Sequence, residues 1–349
     1  MSQTNARQIV LAARPQGKPQ LSDFRLEETA IPTPGSGEVL LRVENLSLDP
    51  YMRGRMEDRK SYAPPTPLGG VMPGESVATV VASRHSAYSE GDVVLAHTGW
   101  RTHALSDRDN LRQLDPAVAP VTTGLGVLGM PGFTAYGGLR VIGKPKPGET
   151  VTVAAASGPV GSLVGQLARI SDARAVGIAG GPEKCAFVKN ELGFDAVIDH
   201  HAADFPSQLR SVCPKGIDVY FENVGGAVWQ AVLPLLNNFA RVPVCGLIAH
   251  YNEAGPGAGL NLLPATMLSI LSKSLTLRGF INYEFAAEHF ATFLREVTAG
   301  IAAGRIRYRE DFVDGLEQAP AAFIGMLEGH NFGKLIVRVG EQSTSPVIR

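Results

Sequence analysis

The chain has 349 residues, of which 44% are hydrophobic and 19% charged, and its formal net charge is −1. This length predicts two domains, and the composition is typical of a globular enzyme rather than a disordered or fibrous chain. The near-zero net charge provides no electrostatic footprint for nucleic acid or an anionic membrane surface, so we expect neither as a partner.

The first part of the chain carries short apolar runs that are separated by turns. One run spans Val39 to Val43, and the segments ESVATVVAS and GDVVLAH repeat the pattern around a turn at Gly91 and Asp92. Such runs are typical of strands. The sequence therefore predicts a small β-rich domain here.

From Val151 onward the pattern changes to an alternation of strands and helices. Strands are predicted at Val151–Ala155, Ala175–Ala179, Ala196–Ile198, Ile217–Phe221, Ala240–Gly246 and Leu275–Phe280, with helices such as Glu183–Leu192 and Val228–Leu236 between them. This order predicts an α/β fold with a doubly wound parallel sheet. After a helix that contains Phe290 to Ala302, a last strand at Phe332–Val339 is expected to return to the first domain. The predicted domains are residues 1–128 with 308–349, and residues 129–307.

The most informative segment is the turn that joins the first strand of this alternation to a helix. It contains Gly158, Pro159, Val160 and Gly161, and Gly165 follows in the helix. Glycines after a buried strand let a pyrophosphate approach the backbone at a helix N-terminus, where the dipole favours an anion. The alternative is a tight turn with close helix–strand packing, because the first glycine of the usual G-x-G-x-x-G pattern is missing. We favour the dinucleotide site.

The end of the next strand indicates which dinucleotide binds. No carboxylate stands at residues 179–181 to accept hydrogen bonds from a free ribose, and Lys184 follows on the first turn of the next helix. A cation at this place suits a 2′-phosphate, which predicts NADPH/NADP as the cofactor. Glu183 argues against this assignment unless its side chain points away, and Lys184 could also be a solvated helix residue.

Eight motifs in order make the chain similar to a known group. They are LSLDPYMRGRM, MPGFTAYGG, AASGPVGSLVGQLA, ELGFDAVIDH, YFENVGG, CGLIAHYN, RGFINYEF and NFGKLIVRV. With them the chain resembles the zinc-independent medium-chain dehydrogenase/reductases, in the branch of prostaglandin, alkenal double-bond and curcumin reductases. The resemblance covers nearly the whole chain. It implies a Rossmann domain and a GroES-like N-terminal domain that the C-terminal segment completes.

The resemblance also implies roles for individual residues. Gly158, Pro159, Val160 and Gly161 are expected to bind the pyrophosphate, and Lys184 the 2′-phosphate. Asn223, Cys245 and Gly246 are expected to lie along the ribose and the nicotinamide. Backbone groups of Phe280 and Ile281 are expected near the carboxamide, and Asn331 is expected to close the site from the other domain. Relatives carry a tyrosine near the 2′-phosphate where this chain has His200. A histidine can also donate to phosphate, which would make affinity more dependent on pH, whereas the alternative is a surface residue at a strand end.

A catalytic zinc is not expected. Zinc-containing relatives need a cysteine and a Gly-His-Glu signature in the first domain, whereas this chain has Ser47 and Asp49 in the first stretch and Gly74 in place of the histidine. His97 and His103 lack a suitably spaced partner, and we expect structural roles for them.

Without a metal to polarise a carbonyl, an activated alkene is the easier hydride acceptor. We therefore expect reduction of the double bond of α,β-unsaturated carbonyl compounds, that is enones or enals. Tyr251 is the predicted catalytic donor to the developing enolate oxygen, since it follows the strand that carries Cys245 and Gly246. Tyr51 and Met52 are the predicted substrate-binding residues. Arg53 could bind a substrate carboxylate or pair with a local acid, and Trp100 could line the site or pack in the core.

Two alternatives to this function remain open at this point: a zinc-free NADPH quinone reductase, and a non-catalytic NADPH-binding structural protein. We further expect a homodimer that pairs through the late strands around Leu271 to Phe280. The three cysteines contain no C-x-x-C, and there is no long apolar run and no signal peptide, so a cytoplasmic location is expected. The glycine-rich segment Glu253–Leu260 is either a plain surface connection or a mobile substrate lid.

Overall fold

The computed structural model describes residues 5–107, 111–253 and 261–339. The chain divides into two compact units: the first holds the described residues up to Leu125 together with Asp311–Asn331 and those from Leu335, and the second holds Gly126–Glu310 with Phe332–Lys334. The limits expected from the sequence differ from these units by a few residues at each junction. Residues 340–349 and the glycine-rich segment at 254–260 lie outside the described part of the chain.

Strands dominate the beginning of the chain, and strands and helices alternate from Thr150 onward. The strands in the described residues are β1 (Asn5–Leu11), β2 (Phe24–Ala30), β3 (Val39–Ser47), β4 (Ser76–Ser83), β5 (Val93–Ala96), β6 (His103–Ser106), β7 (Arg112–Gln113), β8 (Thr150–Ala154), β9 (Arg174–Ala179), β10 (Ala196–Asp199), β11 (Ile217–Phe221), β12 (Leu236–Val244), β13 (Thr276–Gly279), β14 (Glu310–Asp314) and β15 (Lys334–Arg338). The α-helices are α1 (Met52–Arg55), α2 (Met130–Gly137), α3 (Gly161–Ile170), α4 (Pro182–Asn190), α5 (Phe205–Val212), α6 (Gly226–Val232), α7 (Leu263–Lys273), α8 (Ala286–Ala302) and α9 (Ala319–Leu327).

A mostly antiparallel sheet forms the β-rich part of the molecule. Its strand order is β14-β15-β3-β4-β5-β7, with β6 also paired to β3, and β1 and β2 form a separate hairpin. The late strand β15 pairs antiparallel with β3, so that Ile336 lies opposite Ser47. The predicted return of the C-terminal strand to the N-terminal sheet is therefore confirmed.

The second unit contains a parallel sheet of six strands in the order β10-β9-β8-β11-β12-β13. Chain order reverses between β8 and β11, as in a doubly wound fold, and ligands bind at the carboxyl ends of strands at such a point. All five residues of β8 are buried, as the run of small and β-branched residues predicted. The predicted Rossmann sheet is confirmed.

One predicted boundary is wrong. The sequence pattern extended a helix from Val228 to Leu236, but α6 ends at Val232, a short 3-10 turn follows, and β12 begins at Leu236. Pro234 in that turn has no amide hydrogen to donate, which ends the α-helix although the apolar spacing continues.

Membrane-spanning helices were searched in the described residues only. None of the helices there combines the length and the apolar character that a bilayer crossing requires.

Candidate functional site

The two glycines in the turn between β8 and α3 differ in how closely the backbone packs against them. A Cβ added at Gly161 would overlap the carbonyl oxygen of Ala155, so this glycine is required by the turn itself. At Gly158 the nearest atom would be the same oxygen at 3.3 Å. Ala155, exposed at the end of β8, has a positive φ of 52°, which directs the chain sharply into the turn. Pro159 and Val160 are half-buried between the two glycines.

In two other βα turns of the sheet, backbone amides donate to acceptors of the protein itself. The amide of Gly181, before α4, donates to Asp199 Oδ1 at 3.0 Å. Before α6, two amides donate to Glu222 Oε1, and the amide of Gly226 donates to His250 Nε2 at 3.1 Å. The turn before α3, residues 155–161, contains no acidic residue. Of these three helix N-termini, that of α3 is therefore the one suited to an external anion.

A small cleft beside this turn contains two cations that the sequence analysis missed. Its lining includes Pro159, Ser162, Tyr308, Arg309 and Lys334, with Val127 and Glu310 completing it. Lys334 is almost completely buried, and the Arg309 guanidinium lies 3.7 Å from the centroid of the Phe332 ring. The motif NFGKLIVRV contains Lys334, but strand alternation alone does not indicate that its side chain lines a cleft with the glycine turn.

Two imidazoles that follow β10 lie beside the end of β9, where a carboxylate would stand in an NAD-dependent site. A Cβ added at Gly180 would lie 3.0 Å from His200 Nε2 and 3.0 Å from His201 Cε1. The two imidazole rings are in contact, with centroids 4.1 Å apart. Partial desolvation lowers the pKa of His200, and His201 and Lys184 lower it further, against the opposing effect of Asp199. Lys184 and His200 therefore remain the predicted 2′-phosphate residues, and His201 packs against His200.

The carboxyl ends of β8, β11 and β12 bring three predicted residues together. Asn223 Nδ2 donates to the carbonyl oxygen of Ala154 at 2.9 Å, which joins the ends of β8 and β11. A Cβ added at Gly246 would lie 3.1 Å from the hydroxyl of Tyr251 and 3.5 Å from the Asn223 carbonyl oxygen. Tyr251 thus folds back over the end of β12, and its phenol lies at the sheet edge.

Cys245 lies at the same edge and is not an activated nucleophile. Burial raises the pKa of its thiol to about 12, and the nearby Glu222 raises it as well. Its amide donates to the Glu222 carbonyl oxygen at 3.0 Å. A thiol with such a high pKa stays protonated near neutral pH and acts as a packing group.

Phe280 and Ile281, after β13, differ in what they can offer. The Phe280 ring packs between Phe221 and Phe285. The amide of Ile281 donates to Glu284 Oε1 at 2.8 Å, so this donor is already in use. A carboxamide that accepted from this amide would have to share it with, or take it from, Glu284.

The first unit holds the predicted substrate residue Tyr51 in an aromatic and charged cluster. Burial raises the pKa of Tyr51, and the carboxylates of Asp49 and Glu75 raise it further. The Arg55 guanidinium lies 5.8 Å from the centroid of the Tyr51 ring and 4.3 Å from that of Tyr62, which is exposed. The sequence analysis did not identify Arg55 and Tyr62, because only the fold of the intervening loop brings Tyr62 to Tyr51.

Other candidates in the first unit are packing residues or lie at its edge. Met52 is completely buried in the apolar cluster, which does not fit the predicted substrate wall. Arg53 is buried, pairs with Glu57 at 2.9 Å and donates to a carbonyl, so the local-acid interpretation holds. Trp100 is buried against Phe24 and belongs to the core. Asn331, half-buried, is the last residue of its segment of the first unit.

The positions of the zinc ligands in zinc-containing relatives have other contacts here. The Ser47 hydroxyl donates to Asp49, and both residues are buried. A Cβ added at Gly74 would lie 2.8 Å from a Leu46 methyl and 3.1 Å from the Trp100 ring, so a histidine would not fit without repacking. Within the described residues, no three His, Cys, Asp or Glu side chains are grouped so that they could hold a metal ion.

Two family profiles match the chain. Residues 7–114 match the N-terminal domain of oxidoreductase, and residues 159–299 match the zinc-binding dehydrogenase family. The second match includes Gly161, Lys184 and Tyr251.

Individual relatives match over nearly their whole length. The chain is 52% identical over 333 residues to the NADPH-dependent curcumin reductase of Escherichia coli, covering 95% of this chain and 96% of that protein. It is 40% identical to prostaglandin reductase 1 of Bos taurus, with 92% and 95% covered. The crystal structure of CurA in complex with NADPH from Vibrio vulnificus superposes with a TM-score of 0.93 at 51% identity, with 96% of this chain and all of that chain covered.

Proposed function

This chain belongs to the medium-chain dehydrogenase/reductase superfamily, in the branch of curcumin reductase and prostaglandin reductase 1, and we propose that it uses NADPH to reduce α,β-unsaturated carbonyl compounds. It is thus an oxidoreductase, and the proposed reaction is the saturation of the carbon–carbon double bond of an enone or enal. The observation that carries this proposal is the hydroxyl of Tyr251 at the sheet edge above Gly246.

The residues at the ends of β8 and β9 fit NADPH. Gly158 has no side chain to block a pyrophosphate, and the turn before the first amides of α3 contains no acidic residue. Lys184 and His200 supply donors for the 2′-phosphate, and Gly180 carries no carboxylate to repel it. The relative that was crystallised with NADPH supports the same cofactor.

Tyr251 supplies the electrostatic part of the proposed reaction. NADPH, when bound, supplies a hydride for the β-carbon of the substrate. Negative charge then develops on the conjugated carbonyl oxygen, and the phenol of Tyr251 stabilises it by donating a hydrogen bond. Residues 47 and 74 cannot supply the zinc ligation of zinc-containing relatives, which makes this donor more important. Tyr51 is proposed as a substrate-binding residue.

A substrate panel tests the function. Wild-type enzyme should oxidise NADPH, followed by its absorbance, with enones and enals and much more slowly with quinones. Tyr251→Phe should lower kcat on enones about tenfold to hundredfold, with the Kd for NADPH within about twofold, because one donor to the developing charge is lost. Tyr283→Phe, an exposed tyrosine of the same unit, is the control. Turnover of quinones alone, or an unchanged kcat in Tyr251→Phe, would contradict the proposal.

We further propose a homodimer and a cytoplasmic location. The small-molecule substrate requires no macromolecular partner. The strand β13 ends the six-stranded sheet, and an exposed apolar face of α7 lies beside it in the chain. The three cysteines form no disulfide, which suits a reducing compartment.

A further inference from the structure

Glu222, the residue after β11, is a buried acid that no role assigned above explains. Its Oε1 accepts hydrogen bonds from the Tyr220 hydroxyl at 3.0 Å, from the amide of Val224 at 2.7 Å and from that of Gly225 at 2.9 Å. The residue is 3% exposed. Because three donors converge on one oxygen, an acceptor is required here, and an apolar residue would leave buried donors without partners.

The main chain around Glu222 holds the segment that leads to Tyr251. The amides of Cys245 and Gly246 donate to the Glu222 carbonyl oxygen at 3.0 and 3.2 Å. Further along, the amide of Ile248 donates to the Asn223 carbonyl oxygen at 3.2 Å. The amide of Ala249 donates to the Val224 carbonyl oxygen at 3.0 Å. The two segments are therefore joined almost residue by residue.

The last contact between the two segments is made by His250, the residue directly before Tyr251. Its Nε2 accepts the amide of Gly226 at 3.1 Å, and its Nδ1 lies 3.0 Å from Glu253 Oε2. The glycines at 225 and 226 have φ values of 76° and 55°, which other residues adopt only with strain. The Glu222 side chain binds the first of these two positions, so it holds the turn in the conformation on which the pairing depends.

We propose that Glu222 is a positioning residue that sets the place of the Tyr251 hydroxyl by holding the turn at residues 222–226 to the segment at residues 245–250. This inference rests on the proposed function of Tyr251. Glu222 acts as a hydrogen-bond acceptor in this role, and it acts on Tyr251 through the backbone of both segments. Burial raises its pKa, although the three donors and a further amide oppose that effect.

The test compares two substitutions in two backgrounds. Glu222→Gln keeps a side-chain acceptor oxygen and should keep kcat on enones within about threefold of wild type. Glu222→Ala removes the acceptor and should lower kcat about tenfold to hundredfold, since small displacements of a catalytic group are costly. In a Tyr251→Phe background, Glu222→Ala should lower kcat no further, because both changes remove the same interaction.

A matched control is available on the same strand. Asp218, at the other end of β11, accepts from the amide of Thr150 and from the Asn237 side chain, both at 2.8 Å. Asp218→Asn should leave kcat within about twofold. A second measurement needs no turnover: hydrogen–deuterium exchange of the amides at 245–251 should be faster in Glu222→Ala, but not in Glu222→Gln or Asp218→Asn.

Three outcomes would overturn the inference: an additive loss of kcat in the double variant, an equal loss in Glu222→Gln and Glu222→Ala, or unchanged exchange at 245–251 in Glu222→Ala. If Glu222→Ala does not fold, Glu222→Gln and Gly246→Ala remain informative. An added methyl at Gly246 should displace the Tyr251 hydroxyl and lower kcat, with no further loss in the Tyr251→Phe background. Failure of the proposed function can be distinguished from failure of this inference. If the proposed function is wrong, wild-type enzyme will reduce no enone, or Tyr251→Phe alone will leave kcat unchanged.

Discussion

Charge at the ends of β9 and β10 comes from four side chains with different functions. Asp199 is bound to the Gly181 amide, and this hydrogen bond is the main reason that its pKa is lowered. The acid therefore stays charged and holds the turn before α4. Lys184 and His200 are the residues proposed for the 2′-phosphate, and His201 packs against His200. Selection between NADPH and NADH is thus a property of individual side chains.

Lys184→Ala should raise the Kd for NADPH about tenfold to hundredfold and the Kd for NADH less than about threefold. The reason is that the charge-assisted hydrogen bond to the 2′-phosphate exists only for NADPH. Fluorescence titration of both cofactors measures this. Lys189→Ala is the control, since Lys189 is on the same helix and its ammonium donates to the Asp195 carbonyl oxygen. Equal losses for both cofactors would contradict the assignment of Lys184 to the phosphate.

His200 should make NADPH binding depend on pH. Its lowered pKa leaves the imidazole neutral at pH 8, and a bound phosphate dianion would favour the protonated form, so binding takes up a proton. The preference for NADPH over NADH should therefore rise about threefold to tenfold from pH 8 to pH 6.5. His200→Tyr should flatten this dependence. If the variant keeps the slope of the wild type, or if NADH shows the same slope, His200 does not bind the phosphate.

Helix α3 shows how one element combines packing and binding. A Cβ at Gly165 would overlap the Phe194 ring, so this glycine serves the contact of α3 with its neighbours. At Gly158 an added Cβ would lie 3.3 Å from the Ala155 carbonyl oxygen, a much milder contact than the one at Gly165. Close packing explains Gly165, whereas we propose nucleotide binding for Gly158.

Two alanine substitutions separate these roles. Gly165→Ala should lower the free energy of unfolding by about 1–3 kcal/mol through overpacking, with the Kd for NADPH within about threefold. Gly158→Ala should raise the Kd for NADPH about tenfold, with little change in the free energy of unfolding. Thermal unfolding without cofactor and NADPH titration measure the two effects. Equal destabilisation by both variants, with an unchanged Kd in Gly158→Ala, would mean that the whole turn serves packing.

At the scale of the molecule, the free edge of the six-stranded sheet is next to an apolar surface. Helix α7 faces its own unit through Thr266, which accepts from Trp229 Nε1, and through Ile270, which packs on the core. Its other side exposes Leu263, Met267, Leu268 and Leu271. Exposed apolar patches of this kind, beside a sheet edge, are typical of an association surface.

Leu271→Glu should therefore convert the proposed homodimer to a monomer, because a buried charge in an apolar interface has no partner. Leu271 is 80% exposed in the single chain, so the fold itself should tolerate the change. Leu21→Glu, at a leucine that is 61% exposed in the first unit, is the control. Sedimentation equilibrium measures the mass. A wild-type mass of one chain, or a dimer that persists in Leu271→Glu, would contradict the proposal.

The order of elements and the glycine turn were predictable because they depend on local patterns. A buried run such as Thr150–Ala154, followed by glycines and an amphipathic stretch, indicates a strand, a turn and a helix without knowledge of the rest of the chain. The strand–helix alternation then leaves few topologies. Local spacing also predicted that Tyr251 follows a strand end. It did not predict where α6 ends, since Pro234 overrides the apolar period.

Only the tertiary structure decided which of these residues meet. The pairing of residues 222–226 with 245–250 joins segments about twenty residues apart through backbone bonds, which leave no periodic trace in side-chain chemistry. The same holds for His201 against Gly180 and for the cleft that unites Lys334 with Pro159. Met52 was expected to bind the substrate, but its side chain is completely buried in an apolar core. Sequence pattern specifies elements, whereas contacts between distant elements and the exclusion of water from particular side chains arise only when the whole chain has packed.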